Sequence, residues 1–169
     1  MTPMPAGRPR EDESSLGIEL ADLAATERLA AKLARHAQPG DVIGLEGPLG
    51  AGKTAFARGF IAVRLGPTEV PSPTFTLVQV YEGDAGSVWH FDLYRLTKPE
   101  EADALGRDEA LANGIALIEW PERLGDRTPP DRLAIRLEPG CRPGERHVRL
   151  HAYGPRSRVL LAALREDAP

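Results

Sequence analysis

Eight consecutive residues carry the clearest chemistry in this chain: Gly47-Pro48-Leu49-Gly50-Ala51-Gly52-Lys53-Thr54. They fit the pattern G-x-x-x-x-G-K-[ST] at every position. A loop that wraps a phosphate closely needs positions without a Cβ, which Gly47, Gly50 and Gly52 supply. The amides of Leu49, Gly50, Ala51 and Gly52 can then turn inward as an anion nest. A helix beginning near Lys53 adds the partial positive charge of its N-terminus. Lys53 is expected to neutralise β- and γ-phosphate charge, and the Thr54 hydroxyl to ligate Mg²⁺. The alternative is a glycine-rich turn before a helix, without a ligand.

Such a loop needs a carboxylate at the end of a neighbouring strand to hold Mg²⁺ or its water. Two residues qualify. Glu119 follows the apolar run Ile115–Ile118, and Asp92 sits in Trp89-His90-Phe91-Asp92-Leu93-Tyr94-Arg95. The pattern favours Glu119 as the metal-associated acid. For Asp92 it leaves a functional acid and a solvent-facing strand residue equally open. Trp120 reads as a core or interface ring, or as a flat surface beside a nucleotide. His90 reads as a structural strand residue rather than a base. Arg95 is either an internal arginine finger or an ion-pair partner.

The elements that must position these groups follow from periodicity. Leu16–Leu20 reads as a short strand, and Asp22 as the N-cap of a helix over Leu23–Ala37 that Pro39-Gly40 stops. Val42–Leu45 is a short apolar run, hence a buried strand entering the loop. The helix after the loop runs to Leu65 and ends at Gly66-Pro67. Thr74–Tyr81 and Val88–Tyr94 form an antiparallel hairpin around the glycines between them. Pro99-Glu100-Glu101 opens a helical stretch that Gly114 closes. Ile115–Ile118 is a second buried strand. Leu133–Leu137 and His147–His151 flank the turn Pro139–Gly144, and Pro155–Leu164 is a short terminal helix. The expected class is α/β: one P-loop domain over residues 16–165, with parallel core strands, antiparallel hairpins and flanking helices.

The totals narrow the function. The chain has 169 residues and a formal net charge of −4, which argues against holding nucleic acid by bulk charge alone. One cysteine, Cys141, excludes an internal disulfide framework and makes a cysteine-based zinc site an unattractive reading. No run of about 18 apolar residues is present, so no membrane span is expected. Residues 1–15 are Pro-rich and charged, lack an apolar signal region and read as a disordered tail.

Beyond the loop, three further blocks occur in order: Ser72-Pro73-Thr74-Phe75-Thr76-Leu77-Val78, His90-Phe91-Asp92-Leu93-Tyr94-Arg95-Leu96 and Ile118-Glu119-Trp120-Pro121-Glu122-Arg123. With the loop they closely resemble the TsaE (YjeE) family, bacterial ATPases of tRNA threonylcarbamoyladenosine biosynthesis. The resemblance covers roughly Leu16 to Tyr153. It implies a cytoplasmic ATPase, weak alone and stimulated by the TsaD and TsaB proteins, which supports modification of adenosine 37 in tRNAs reading ANN codons. ATP and Mg²⁺ are the implied cofactors, and tRNA is met through the complex. Lys53 and Thr54 match the family's phosphate and Mg²⁺ residues, Glu119 its metal-associated acid and Asp92 its second essential carboxylate. Thr74 matches a γ-phosphate sensor, Trp120 a tryptophan close to the nucleotide, and Thr26 a threonine near the base or sugar. The chain departs from the family at Ala102-Asp103-Ala104, where bulkier apolar residues are common, and around Cys141. Two other readings stand beside this one: a small-molecule P-loop kinase, with Asp92 as base, and a nucleotide sensor without turnover. Guanine specificity has no visible motif.

Overall fold

The computed structural model describes residues 13–66, 77–84 and 86–166. The elements alternate for the first half of the chain. Strand β1 (Ser15–Leu20) leads to helix α1 (Leu23–His36), β2 (Val42–Glu46) and α2 (Lys53–Leu65). Strands β3 (Val78–Tyr81) and β4 (Ser87–Asp92) precede a 3-10 segment (Pro99–Leu105), α3 (Arg107–Asn113) and β5 (Gly114–Glu119). A second 3-10 segment (Pro121–Arg127) is followed by β6 (Arg132–Pro139), β7 (Arg146–Tyr153) and α4 (Pro155–Glu166).

Asp22 caps α1 as expected: its carboxylate accepts the Ala25 N–H at 2.8 Å. The seven strands form one mixed sheet in the order β1-β7-β6-β2-β5-β4-β3. β2 runs parallel to β5 and β6, and β4 parallel to β5. The β3–β4, β6–β7 and β1–β7 pairs are antiparallel. This is the expected α/β arrangement of a parallel centre with antiparallel additions.

Both faces of the central strands are covered, so β2 and β5 read as near-continuous apolar runs. Ile43, Leu45, Ile115 and Leu117 pack with Leu33, Phe56, Phe60 and Leu161 from the long helices. Val42, Ala116, Ile118 and Phe91 pack on the other face with Ala102, Ala110 and Leu124.

Three local expectations are refined. The helical stretch from Pro99 to Gly114 is two pieces, broken at Gly106, whose φ is +87°. A Cβ there would lie 2.8 Å from the Trp89 ring, so the chain bends where β4's tryptophan packs against it. The terminal helix runs on to Glu166. Ser15, assigned from sequence to the tail, opens β1, and the Ser14 carbonyl accepts the Ala152 N–H at 2.8 Å. The rest of the tail reading, residues 1–12, lies outside the described residues, as do Thr74 and the Ser-Pro-Thr-Phe block.

Candidate nucleotide and metal site

The loop leaves the carboxyl end of β2, where open α/β sheets bind ligands. Gly47 has φ +139°, and a Cβ on it would lie 2.2 Å from the Leu137 carbonyl oxygen of β6. Gly50 and Gly52 also lie in the left-handed region, at φ +78° and +104°. Gly52 caps α2 with no side-chain bond, and the helix's first turn holds no acid. The first turn of α2 therefore borders a cleft of about 370 Å³ with no acid of its own helix beside it. Lys53 is 5% exposed. Its ammonium donates to the Gly47 carbonyl and, at 3.1 Å, to that of Pro48. It also lies 3.9 Å above the Trp120 ring. Burial pushes the Lys53 pKa below its ordinary 10.5, opposed in part by the charges of Glu119, Glu122 and Asp92.

The acids come from adjacent parallel strands. Asp92 of β4 and Glu119 of β5 are register partners. Alternation puts both on the α2 face of the sheet, together with His90. Glu119 is 2% exposed and Asp92 6%. One Glu119 oxygen accepts the Thr54 hydroxyl at 3.1 Å, and the other accepts from His90 Nε2 at 2.7 Å. His90 Nδ1 is buried without a partner among the described residues, which fits a ring that carries its proton on Nε2. Asp92 Oδ1 accepts the Tyr94 N–H at 3.1 Å. Trp120 follows Glu119 at φ 60°, a left-handed conformation that costs a bulky residue about 1–3 kcal/mol. That turn lays its ring against Tyr94, with centroids 5.0 Å apart. A hydroxyl and two carboxylates around a helix N-terminus are the donor set of a hard, oxygen-preferring cation such as Mg²⁺.

A sequence profile of the family described as Threonylcarbamoyl adenosine biosynthesis protein TsaE matches residues 20–148. The chain belongs to the TsaE family. The TsaE protein of Bacillus subtilis is 40% identical over 143 residues, 82% of this chain and 87% of that protein. The Rickettsia conorii TsaE protein is 43% identical over 114 residues, 67% of this chain, and the match spans 65% of its length. The crystal structure of Bacillus subtilis YdiB superposes with a TM-score of 0.76 at 34% identity, covering 91% of this chain and 97% of that one.

Ten of the residues singled out from the sequence line the cleft: Leu49, Gly50, Ala51, Gly52, Lys53, Thr54, Asp92, Arg95, Glu119 and Trp120. Ala55 and Tyr94 join them. Gly47 stands on the other side of the loop, where it borders a shallow groove with Pro48, Trp120 and Glu122. Thr26 is buried in α1 and is not part of the cleft lining among the described residues. Two contacts were not read from sequence. His90 is the partner that orients Glu119, and the alternation His90–Asp92 was a signal for placing it on the acid face. Arg146 of β7 donates to carbonyls of the loop itself, and no local pattern marks it.

Proposed function

We propose that this chain is a Mg²⁺-dependent ATPase that works with TsaD and TsaB in the threonylcarbamoylation of adenosine 37 in tRNAs reading ANN codons. Family membership supports the pathway. One observation carries the chemistry: Lys53, Thr54, Asp92 and Glu119 converge at the N-terminus of α2. The triphosphate lies on the loop amides, and Lys53 turns from its own loop carbonyls to the β- and γ-phosphates. Thr54 and Glu119 are the residues that would hold Mg²⁺, which when bound offsets charge on those phosphates. His90 and Thr54 occupy one Glu119 oxygen each and so fix its direction. Asp92, which lines the same cleft, orients the water that attacks the γ-phosphorus as the bond to the β–γ bridging oxygen breaks. By the family resemblance, Thr74 takes the γ-phosphate, while Thr26, buried in α1 beyond the cleft lining, would have to be uncovered to reach the base or sugar. Trp120, braced by the tilted Tyr94 ring, gives the nucleotide an aromatic wall. The rate is low for the chain alone because a partner completes the transition-state charge, as arginine fingers do in other P-loop enzymes. The protein acts in the cytoplasm, and tRNA reaches it through the complex. Among the described residues no helix is long and apolar enough to cross a membrane.

Reconstitution tests this reading. The chain is mixed with the TsaB and TsaD proteins of its own organism, and phosphate release and multiple-turnover tRNA modification are followed. Stimulation of both is expected, with Lys53→Ala abolishing ATP binding and Glu119→Gln abolishing turnover. Absence of stimulation in either assay refutes the pathway role. Full tRNA modification by the hydrolysis-dead Glu119→Gln chain refutes the motor in favour of a sensor.

A further inference from the structure

Four of the loop's carbonyls are divided between two cations. Lys53 takes those of Gly47 and Pro48. Arg146, the first residue of β7, takes the other two from outside. Its Nε donates to the Ala51 carbonyl at 2.6 Å and its Nη2 to that of Gly50 at 3.2 Å. Its Nη1 donates to the Glu145 carbonyl at 2.8 Å, which fixes the plane of the guanidinium. Arg146 lies 95 residues beyond Ala51 in sequence.

The direction of those bonds matters for the ligand. The peptide bonds are trans, so each C=O points opposite the next residue's N–H. Drawing the Ala51 carbonyl towards the hairpin turns the Gly52 N–H the other way, into the cleft that Gly52 lines. Drawing the Gly50 carbonyl outward turns the Ala51 N–H inward, where it meets the Pro48 carbonyl at 3.1 Å. The segment being held has two glycines with positive φ, Gly50 and Gly52, and so little stiffness of its own. A planar fork with fixed donors suits two neighbouring carbonyls in a way a single ammonium does not.

We propose that Arg146 is a positioning residue of the nucleotide site: it clamps the outer side of the phosphate loop so that the Gly52 amide already faces the cleft when nucleotide arrives. This rests on the nucleotide-binding reading above. Preorganisation of this kind raises affinity by removing an ordering cost from the binding step. The effect falls on the diphosphate part of the ligand, so ADP and ATP share it. It is uniform binding, which appears in KM and spares kcat.

The test uses the full chain as wild type, Arg146→Ala, Arg146→Lys and, as a control at the hairpin tip, Arg142→Ala. Binding of fluorescent ADP and ATP analogues, KM and kcat with the partner proteins, and hydrogen exchange are measured. Loss of the clamp is expected to weaken both nucleotides about ten- to hundred-fold, the equivalent of one or two hydrogen bonds to a charged group. KM rises while kcat holds, Arg146→Lys falls between wild type and Arg146→Ala, and Arg142→Ala behaves as wild type. Exchange quickens over residues 47–54 and not across the sheet. Wild-type affinity in Arg146→Ala overturns the inference and leaves the nucleotide site standing. Exchange raised throughout the sheet in step with the affinity loss also overturns it, because the arginine is then merely structural. A wild-type chain with no affinity for either nucleotide overturns the nucleotide reading itself, and the clamp with it.

Discussion

Replacing Gly47 with alanine tests the geometry at the head of the loop. The added Cβ would sit 2.2 Å from the Leu137 carbonyl oxygen and 3.2 Å from the Ala51 side chain. The first is far inside the van der Waals limit. Leu137 cannot give way readily: it is fully buried, and β6 is paired with β2 on one side and β7 on the other. The native φ of +139° is itself a region that side chains avoid. If the loop holds its place, backbone strain adds about 1–3 kcal/mol and overpacking about 1–3 kcal/mol. The sum, about 2–6 kcal/mol, lowers the Tm by at least about 4 °C for a chain of this size. If the loop moves instead, stability is spared, but displacement near 1 Å costs up to about a hundred-fold in function. Thermal unfolding and nucleotide titration of the same protein read both branches. A Gly47→Ala chain that melts within about 2 °C of wild type and binds nucleotide with unchanged affinity would refute the argument.

Three further outcomes follow from the site. A double-mutant cycle with His90→Leu and Glu119→Leu, read by urea unfolding, should give a coupling energy of about 1.5–3 kcal/mol for the buried bond between them; a value near zero means the contact does not hold Glu119. Asp92→Asn should keep ATP affinity within about threefold while lowering partner-stimulated kcat at least about a hundred-fold, because a catalytic base contributes that much; normal turnover refutes its role with water. Lys53 predicts a pH effect of definite sign. Its folded pKa lies below 10.5, so just under that pH the unfolded chain holds a proton that the folded chain has lost. Stability from this group therefore rises with pH across that window. The difference in unfolding free energy between wild type and Lys53→Met should move in favour of wild type as pH climbs towards 10.5, and a flat difference refutes the burial cause.

What could be read from sequence was the chemistry carried by consecutive residues. The phosphate loop is contiguous, so its glycines, Lys53 and Thr54 announce themselves. The buried strands β2 and β5 were equally plain, because burial on both faces makes them unbroken apolar runs. Gly106 divides Pro99–Asn113, and an internal glycine with Asp103 before it was a usable sign of a break. Strand order and register were beyond such reading. Asp92 and Glu119 each end a strand, yet their meeting depends on one alignment of β4 with β5. A slip of one residue would turn one strand's acid to the opposite face, among Phe91 and Ile118. Arg146 is further from legibility still. It reaches the loop only because β7 pairs with β6, and β6 with β2, the strand that delivers the loop. Two long-range pairings must be known before that arginine differs from any other near a glycine turn. The loop's residue types were therefore open to inspection, while Arg146, which aims the loop, and His90, which aims Glu119, are defined by the sheet.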